Sequence, residues 1–122
     1  MKLKLKKKRN KFLAIKTEFA GLLFDSAKEA QRWGELLILE RIGEINCLQR
    51  QVPFVLVPGV KITGEKRARP AVRLFVDFTY RQKGVQIVED VKSPITAKLA
   101  AFRMKQHLLA AVHGLEIRLT GS

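Results

Sequence analysis

The chain has 122 residues and a mass of 13.9 kDa, enough for one domain with a buried core and too little for two. Lysines and arginines number 24 against 11 acids, and the resulting charge of +13 is self-repulsive unless an anionic partner relieves it, so nucleic acid is the expected partner. The single cysteine, Cys47, excludes an intrachain disulfide framework and a cysteine-built zinc site. No apolar run reaches the ~18 residues of a membrane span, and no hydrophobic signal core follows the lysine-rich start, so a soluble cytoplasmic protein with no membrane partner is expected.

Met1 to Lys11 holds seven Lys or Arg in eleven positions and reads as a basic mobile arm, with Lys6, Lys7, Lys8 and Arg9 as phosphate contacts; residues 12–122 form the single folded domain. The bland alternative for the arm is a solubilising tail. Phe12 to Asp25 suggests a short strand and a turn. Ser26 to Arg41 is the first helix: Ser26 suits an N-cap, Ala30, Trp33, Leu37 and Arg41 recur at helical spacing, and Gly43 marks the end. Glu29, three residues after Ser26, either completes a capping box or presents a carboxylate to a site elsewhere.

Glu44 to Leu48 and Gln51 to Val57 read as two strands separated by Gln49-Arg50, and Pro53 restricts the second to an edge or a strand start. Lys61 to Arg69 is a polar loop whose Lys66, Arg67 and Arg69 are candidate phosphate contacts, against the common case of a merely solvated charge run.

The next stretch, Val72 to Lys92, organises the reading. Alternation puts Val72, Leu74, Val76, Phe78 and Tyr80 on one face of a strand and Arg73, Phe75, Asp77, Thr79 and Arg81 on the other. Lys83-Gly84 is a hairpin turn, and a second strand, Val85 to Lys92, puts Gln86, Val88, Asp90 and Lys92 on one face. Pairing Gln82 with Val85 sets Tyr80 opposite Ile87 and Asp77 opposite Asp90. Directly opposed carboxylates destabilise a sheet unless a cation offsets them. Either these acids form a site with Lys92, or they are surface acids paired with nearby lysines.

Ser93-Pro94 ends the strand, and Thr96 is placed to cap a helix from Ala97 to His113 that Gly114 stops. Leu99, Phe102, Leu109 and Val112 give it an apolar stripe, with Lys98, Arg103, Lys105 and His107 off the stripe as a basic outer side. Leu115 to Leu119 alternates as a last strand. The predicted order of helix, strands, hairpin, helix and strand defines an α/β fold, an αβββαβ core with a mixed β-sheet flanked by two helices. GxxxxGK[ST], GxGxxG and HExxH are absent, which removes support for nucleotide-triphosphate, dinucleotide and zinc-protease chemistry.

Glu29 on a first helix, Asp77 on a strand, a turn, Asp90-Val91-Lys92 and a following helix together resemble the PD-(D/E)xK, or restriction-endonuclease-like, nuclease superfamily, which includes Holliday-junction resolvases and transposon-end nucleases. FDSAKEAQRWGELLILERIGEI followed by VDFTY and VEDVKS is similar to a small phage-encoded family within it, over Phe24 to Leu119. Val76 stands where the motif's name has proline, a departure common in the superfamily. The resemblance implies a metal-dependent DNA endonuclease, with branched DNA among its possible substrates and a homodimer admissible. It further implies that Asp77 and Asp90, with the Val91 carbonyl and Glu29, hold Mg2+ (or Mn2+ in its place), and that Lys92 orients or deprotonates water or stabilises the phosphate. The competing expectations are a nucleic-acid-binding protein without catalysis and an accessory protein that acts only with a partner.

Overall fold

The computed structural model describes residues 6–9 and 15–120. Strands β1 (Lys6–Arg9), β2 (Ile15–Phe19) and β3 (Leu22–Phe24) form a small antiparallel sheet in that order. Over its described part the expected arm is therefore paired strand: Lys6 to Arg9 run antiparallel to Glu18 through Ile15. Main-chain pairing needs no apolar side chain, so composition does not reveal it. The remaining positions of the arm lie outside the described residues.

Helix α1 (Ala27–Arg41) follows, then β4 (Asn46–Val57), β5 (Val72–Gln82), β6 (Val85–Val91), a short α2 (Pro94–Ala97), α3 (Ala100–His113) and β7 (Ile117–Thr120). Strands β4 to β7 form a mixed four-stranded sheet in sequence order, antiparallel except for the β6–β7 pair, whose parallel crossover is made by α2 and α3. This is an α/β fold with the expected order of helix, three strands, helix and strand. None of its described helices is long and apolar enough to cross a membrane.

The central hairpin takes the register that alternation dictates, from Gln82 opposite Val85 to Phe78 opposite Glu89. Its turn has φ of 52° at Lys83 and 76° at Gly84, the paired positive angles of the tight turn that matches strand twist. Two boundaries differ from expectation. The two strands predicted before Val57 are one, β4, which runs unbroken through Gln49-Arg50, paired with Thr79 and Phe78, and is irregular instead between Asn46 and Gln49. Pro53 sits within it, on an edge strand as its identity required. The last helix is broken: Ser93, not Thr96, caps α2, by accepting from the Thr96 N–H at 3.1 Å, and α3 begins afresh at Ala100.

Two cores flank the sheet. Phe24, Ala30, Leu36, Phe78 and Tyr80 pack beneath α1, with Trp33 stacked on Phe78 at 5.8 Å between ring centroids. Leu56, Leu74, Val76, Val88, Phe102 and Leu109 pack beneath α3. Burying side chains of this kind contributes roughly 1.5–3 kcal/mol each. On α3 the stripe is narrower than alternation suggested, because Leu99 and Val112 are both exposed while Phe102 and Leu109 are buried. On β5 the single expected apolar face divides: Leu74 and Val76 belong to the α3 core and Phe78 and Tyr80 to the α1 core. Side chains two apart on a regular strand share a face. The strand therefore re-aims between Val76 and Phe78, and the residue between them is Asp77.

Candidate metal and nucleic-acid site

The regular ladder of β5 and β6 stops at Phe78 and Glu89, and one register step further Asp77 faces Asp90. Here the carboxylates take over the bonding. Asp90 Oδ1 accepts from the Asp77 N–H at 3.0 Å, and Asp77 Oδ2 accepts from the Val91 N–H at 2.8 Å. Each acid thus holds the opposite strand, which fixes both carboxylates and lets the strand change face.

Glu29 joins them from the first turn of α1. The Glu29 N–H donates to Ser26 Oγ at 3.1 Å, so Ser26 is the predicted cap. The reciprocal half of a capping box is not made. Glu29 Oε1 instead accepts from Gln51 Nε2 at 3.0 Å, and the same nitrogen donates to Asp77 Oδ1 at 3.1 Å. Gln51 thus ties a helix carboxylate to a strand carboxylate. It does so from a left-handed backbone, φ 51°, which costs a non-glycine residue roughly 1–2 kcal/mol. Strain of this kind persists where surrounding structure over-determines it, and functional sites are where it collects. Sequence reading missed Gln51, since no local pattern distinguishes it from other polar edge-strand residues.

Glu29, Asp77, Val91 and Lys92 line one cleft of about 310 Å3, together with Asp25 and the α2 cap Ser93. Asp90 lies behind this wall, fully buried, and its Oδ2 accepts no hydrogen bond although Lys92 Nζ stands 3.3 Å away. Lys92 Nζ also lies 5.5 Å from the Phe102 ring centroid, close enough for a cation–π contact. Among the described residues no three His, Cys, Asp or Glu side chains are drawn together tightly enough to hold a metal ion as they stand. The Gln51 amide, occupying one oxygen each of Glu29 and Asp77, sits between them.

Burial pushes the Glu29 carboxyl up to about 7, reinforced by the nearby Asp77 and Asp25 charges. Burial likewise pushes Asp90 up to about 7, with Asp77 adding to the effect and Lys92 opposing it. Both groups bind protons more tightly folded than unfolded. Their contribution to stability is therefore complete below the ordinary carboxylate values of 3.8 and 4.5 and is lost as pH rises through about 7. In chelator the melting temperature should accordingly fall between pH 5 and pH 8, and the fall should shrink in Glu29→Gln. A profile equally steep in that variant would assign the slope to other groups.

The candidate phosphate contacts are spread more widely. Lys66, Arg67 and Arg69 are exposed in the β4–β5 connection, where Arg69 makes an ion pair with Glu65 at 2.7 Å. Lys98 is exposed at the end of α2, and on α3 Arg103 is exposed and Lys105 half-buried. Lys6 to Arg9 lie in β1. Lys28, which sequence reading passed over, is exposed and lines the acid cleft. His113 is held structurally: its Nε2–H donates to the Val55 carbonyl at 2.7 Å, at the helix end where Gly114 takes φ 66°.

A mixed sheet between two helical layers, with three acids and a lysine gathered where two strands separate, defines the molecule as an α/β protein with an acid-and-lysine cleft. Over residues 9–120 the chain matches the family described as protein of unknown function (DUF1064), and it belongs to that family. Neither a curated protein nor a solved structure matches it.

Proposed function

We propose that the protein is a Mg2+-dependent DNA endonuclease of the PD-(D/E)xK kind. The observation that carries this reading is the convergence of Glu29, Asp77 and Lys92 on one cleft, with Asp90 buried directly behind them and one of its oxygens met by no hydrogen bond, only by the Lys92 ammonium at 3.3 Å. Buried carboxylates facing one lysine are costly to charge, and a hard divalent cation is the natural partner for a set made of carboxylate oxygens. The residues therefore fit Mg2+, or Mn2+ in its place, with Asp77 and Asp90 as the central pair, Glu29 adjoining and Val91 at the cleft wall. A divalent cation bound there supplies Lewis-acid chemistry, neutralising charge on the phosphate and acidifying the attacking water.

The chain's own groups do the rest. Asp77 at the cleft wall and Asp90 behind it are held in place by the opposite strand's N–H groups. Lys92, anchored beside Asp90, orients the water and stabilises the negative charge that builds on the phosphoryl oxygens. The cationic surface and the charge of +13 bring and retain the polyanion.

The deciding experiment incubates purified protein with Mg2+ and either supercoiled plasmid or a four-way junction. Cleavage that requires the metal and is lost in Lys92→Ala is expected. Binding without cleavage at every Mg2+ and Mn2+ concentration would support the non-catalytic reading. Glu29→Gln separates the two roles of that residue: as a cap it would be silent, whereas near the cation it should slow turnover while leaving the metal-free melting temperature equal or higher.

A further inference from the structure

Away from the acid cleft, the β4–β5 ribbon has one covered face and one bare one. Val52, Phe54, Leu56, Leu74 and Val76 pack into the core beneath α3. The residues between them are paired as Pro53 with Phe75 and Val55 with Arg73, and all four are exposed. Phe75 is 56% exposed and Val55 43%, and among the described residues nothing covers them. An apolar shelf of this kind, rimmed by charge, calls for an occupant.

The shelf is continuous with the acid cleft. Phe75 precedes Asp77 by two residues on β5, and its partner Pro53 stands two residues from Gln51 on β4. The hydrogen bond from Gln51 to Asp77 joins the same two strands one step further on, at the site. Two residues of strand advance about 7 Å, a step comparable with one nucleotide of an extended strand. At the far end the connection between β4 and β5 carries Lys61, Lys66 and Arg67, all exposed, and Arg73 stands on the shelf itself.

We propose that this shelf, centred on Phe75, receives an unpaired base of the nucleic acid next to the phosphate held at the acid cleft. The inference rests on the nuclease reading for the position of that phosphate and adds a substrate class, strands with unpaired bases. A flat exposed ring offers stacking to any base with a free π-face, and cations beside it take the neighbouring phosphates. Within a duplex both faces of each base are covered by neighbours, whereas single strands and branch points leave them free. A second copy of the chain fits the shelf less well. In a two-fold pair the same surface meets itself, which would press Arg73 and the loop cations against their own copies in a molecule already at +13.

The test measures binding by fluorescence anisotropy in chelator, with a labelled single strand of about 20 nucleotides and a blunt duplex of the same sequence. Phe75→Ala is expected to weaken single-strand binding about tenfold and duplex binding by less than about twofold, and Phe75→Trp to retain single-strand binding and show quenched indole fluorescence on saturation. Equal losses on both probes, or no loss on either, would overturn the proposal. So would a lower melting temperature of Phe75→Ala, which would show that the chain itself covers the shelf, or a dimer in sedimentation that the same variant dissociates. Because no metal is present, the result is independent of cleavage: a protein that stacks single strands but never cuts keeps the shelf and loses the nuclease, and the reverse outcome does the opposite.

Discussion

Asp90→Asn is expected to lower Mg2+-dependent cleavage by roughly 100-fold or more, the scale on which losing one charge-stabilising group in an active site is felt, while raising the metal-free melting temperature at pH 8 by several degrees. The two effects share a cause. Asp90 is fully buried, with a proton affinity raised by burial and by Asp77, so at pH 8 its charge is held at a cost. Asparagine keeps an oxygen to accept from the Asp77 N–H, so the strand crossing survives, and it removes the charge. What it cannot do is balance a divalent cation. The checks are a plasmid-nicking time course across Mg2+ concentrations and a melting curve in chelator at pH 8. Should the variant melt lower than wild type, the buried carboxylate would be serving stability through Lys92, and the assignment of Asp90 to a cation site would lose its physical basis.

Much of this geometry was legible in the sequence because the relevant signals are local. Lys83-Gly84 between two alternating runs fixes a turn, the turn fixes a register, and the register places Asp77 across from Asp90. Ser26 as a cap was equally local. Glu29 was not: its spacing suits a capping box and a site acid alike, and what decides between them is Gln51, a residue 22 positions away whose amide draws the carboxylate inward. Gln51 reaches it through a left-handed backbone angle within a strand, and polar identity alone encodes no such angle. The split of the β5 face at Asp77 was illegible for a related reason. Alternation assumes an unbroken ladder, and here side-chain carboxylates replace ladder bonds, so side chains on either side of Asp77 enter different cores. Ser93 rather than Thr96 took the cap of α2 because it precedes Pro94, whose fixed φ and missing N–H suit the first position of a helix.

The largest expected loss of stability lies one residue from the site, in a group that alternation placed on the opposite face from Asp90 and that no motif flagged. Glu89 is fully buried and accepts from Arg32 Nε at 2.6 Å and Arg32 Nη2 at 3.0 Å, a two-pronged pairing across 57 residues of chain. Tyr80 donates its hydroxyl to the same carboxylate at 2.8 Å, and burial together with that bond pushes the phenol's proton affinity up. Arg32→Met should therefore destabilise the protein by about 3 kcal/mol, the low end for a broken buried pair because the Arg32 side chain is 25% exposed. For a domain of this size that is a fall in melting temperature of roughly 10 °C or more. The double variant Arg32→Met with Glu89→Leu should recover most of the loss, since the penalty comes from stranding a buried charge rather than from losing the pair. Arg69→Ala, which breaks an exposed pair with Glu65, should leave the melting temperature essentially unchanged. If Arg32→Met were as mild as Arg69→Ala, Glu89 would have to find water or a proton where the structure leaves it enclosed. Cleavage should weaken in the single Arg32 variant even below its melting temperature, because Glu89 and Asp90 are consecutive on β6: a carboxylate driven to seek solvent on one side of the strand drags Asp90 on the other side out of line.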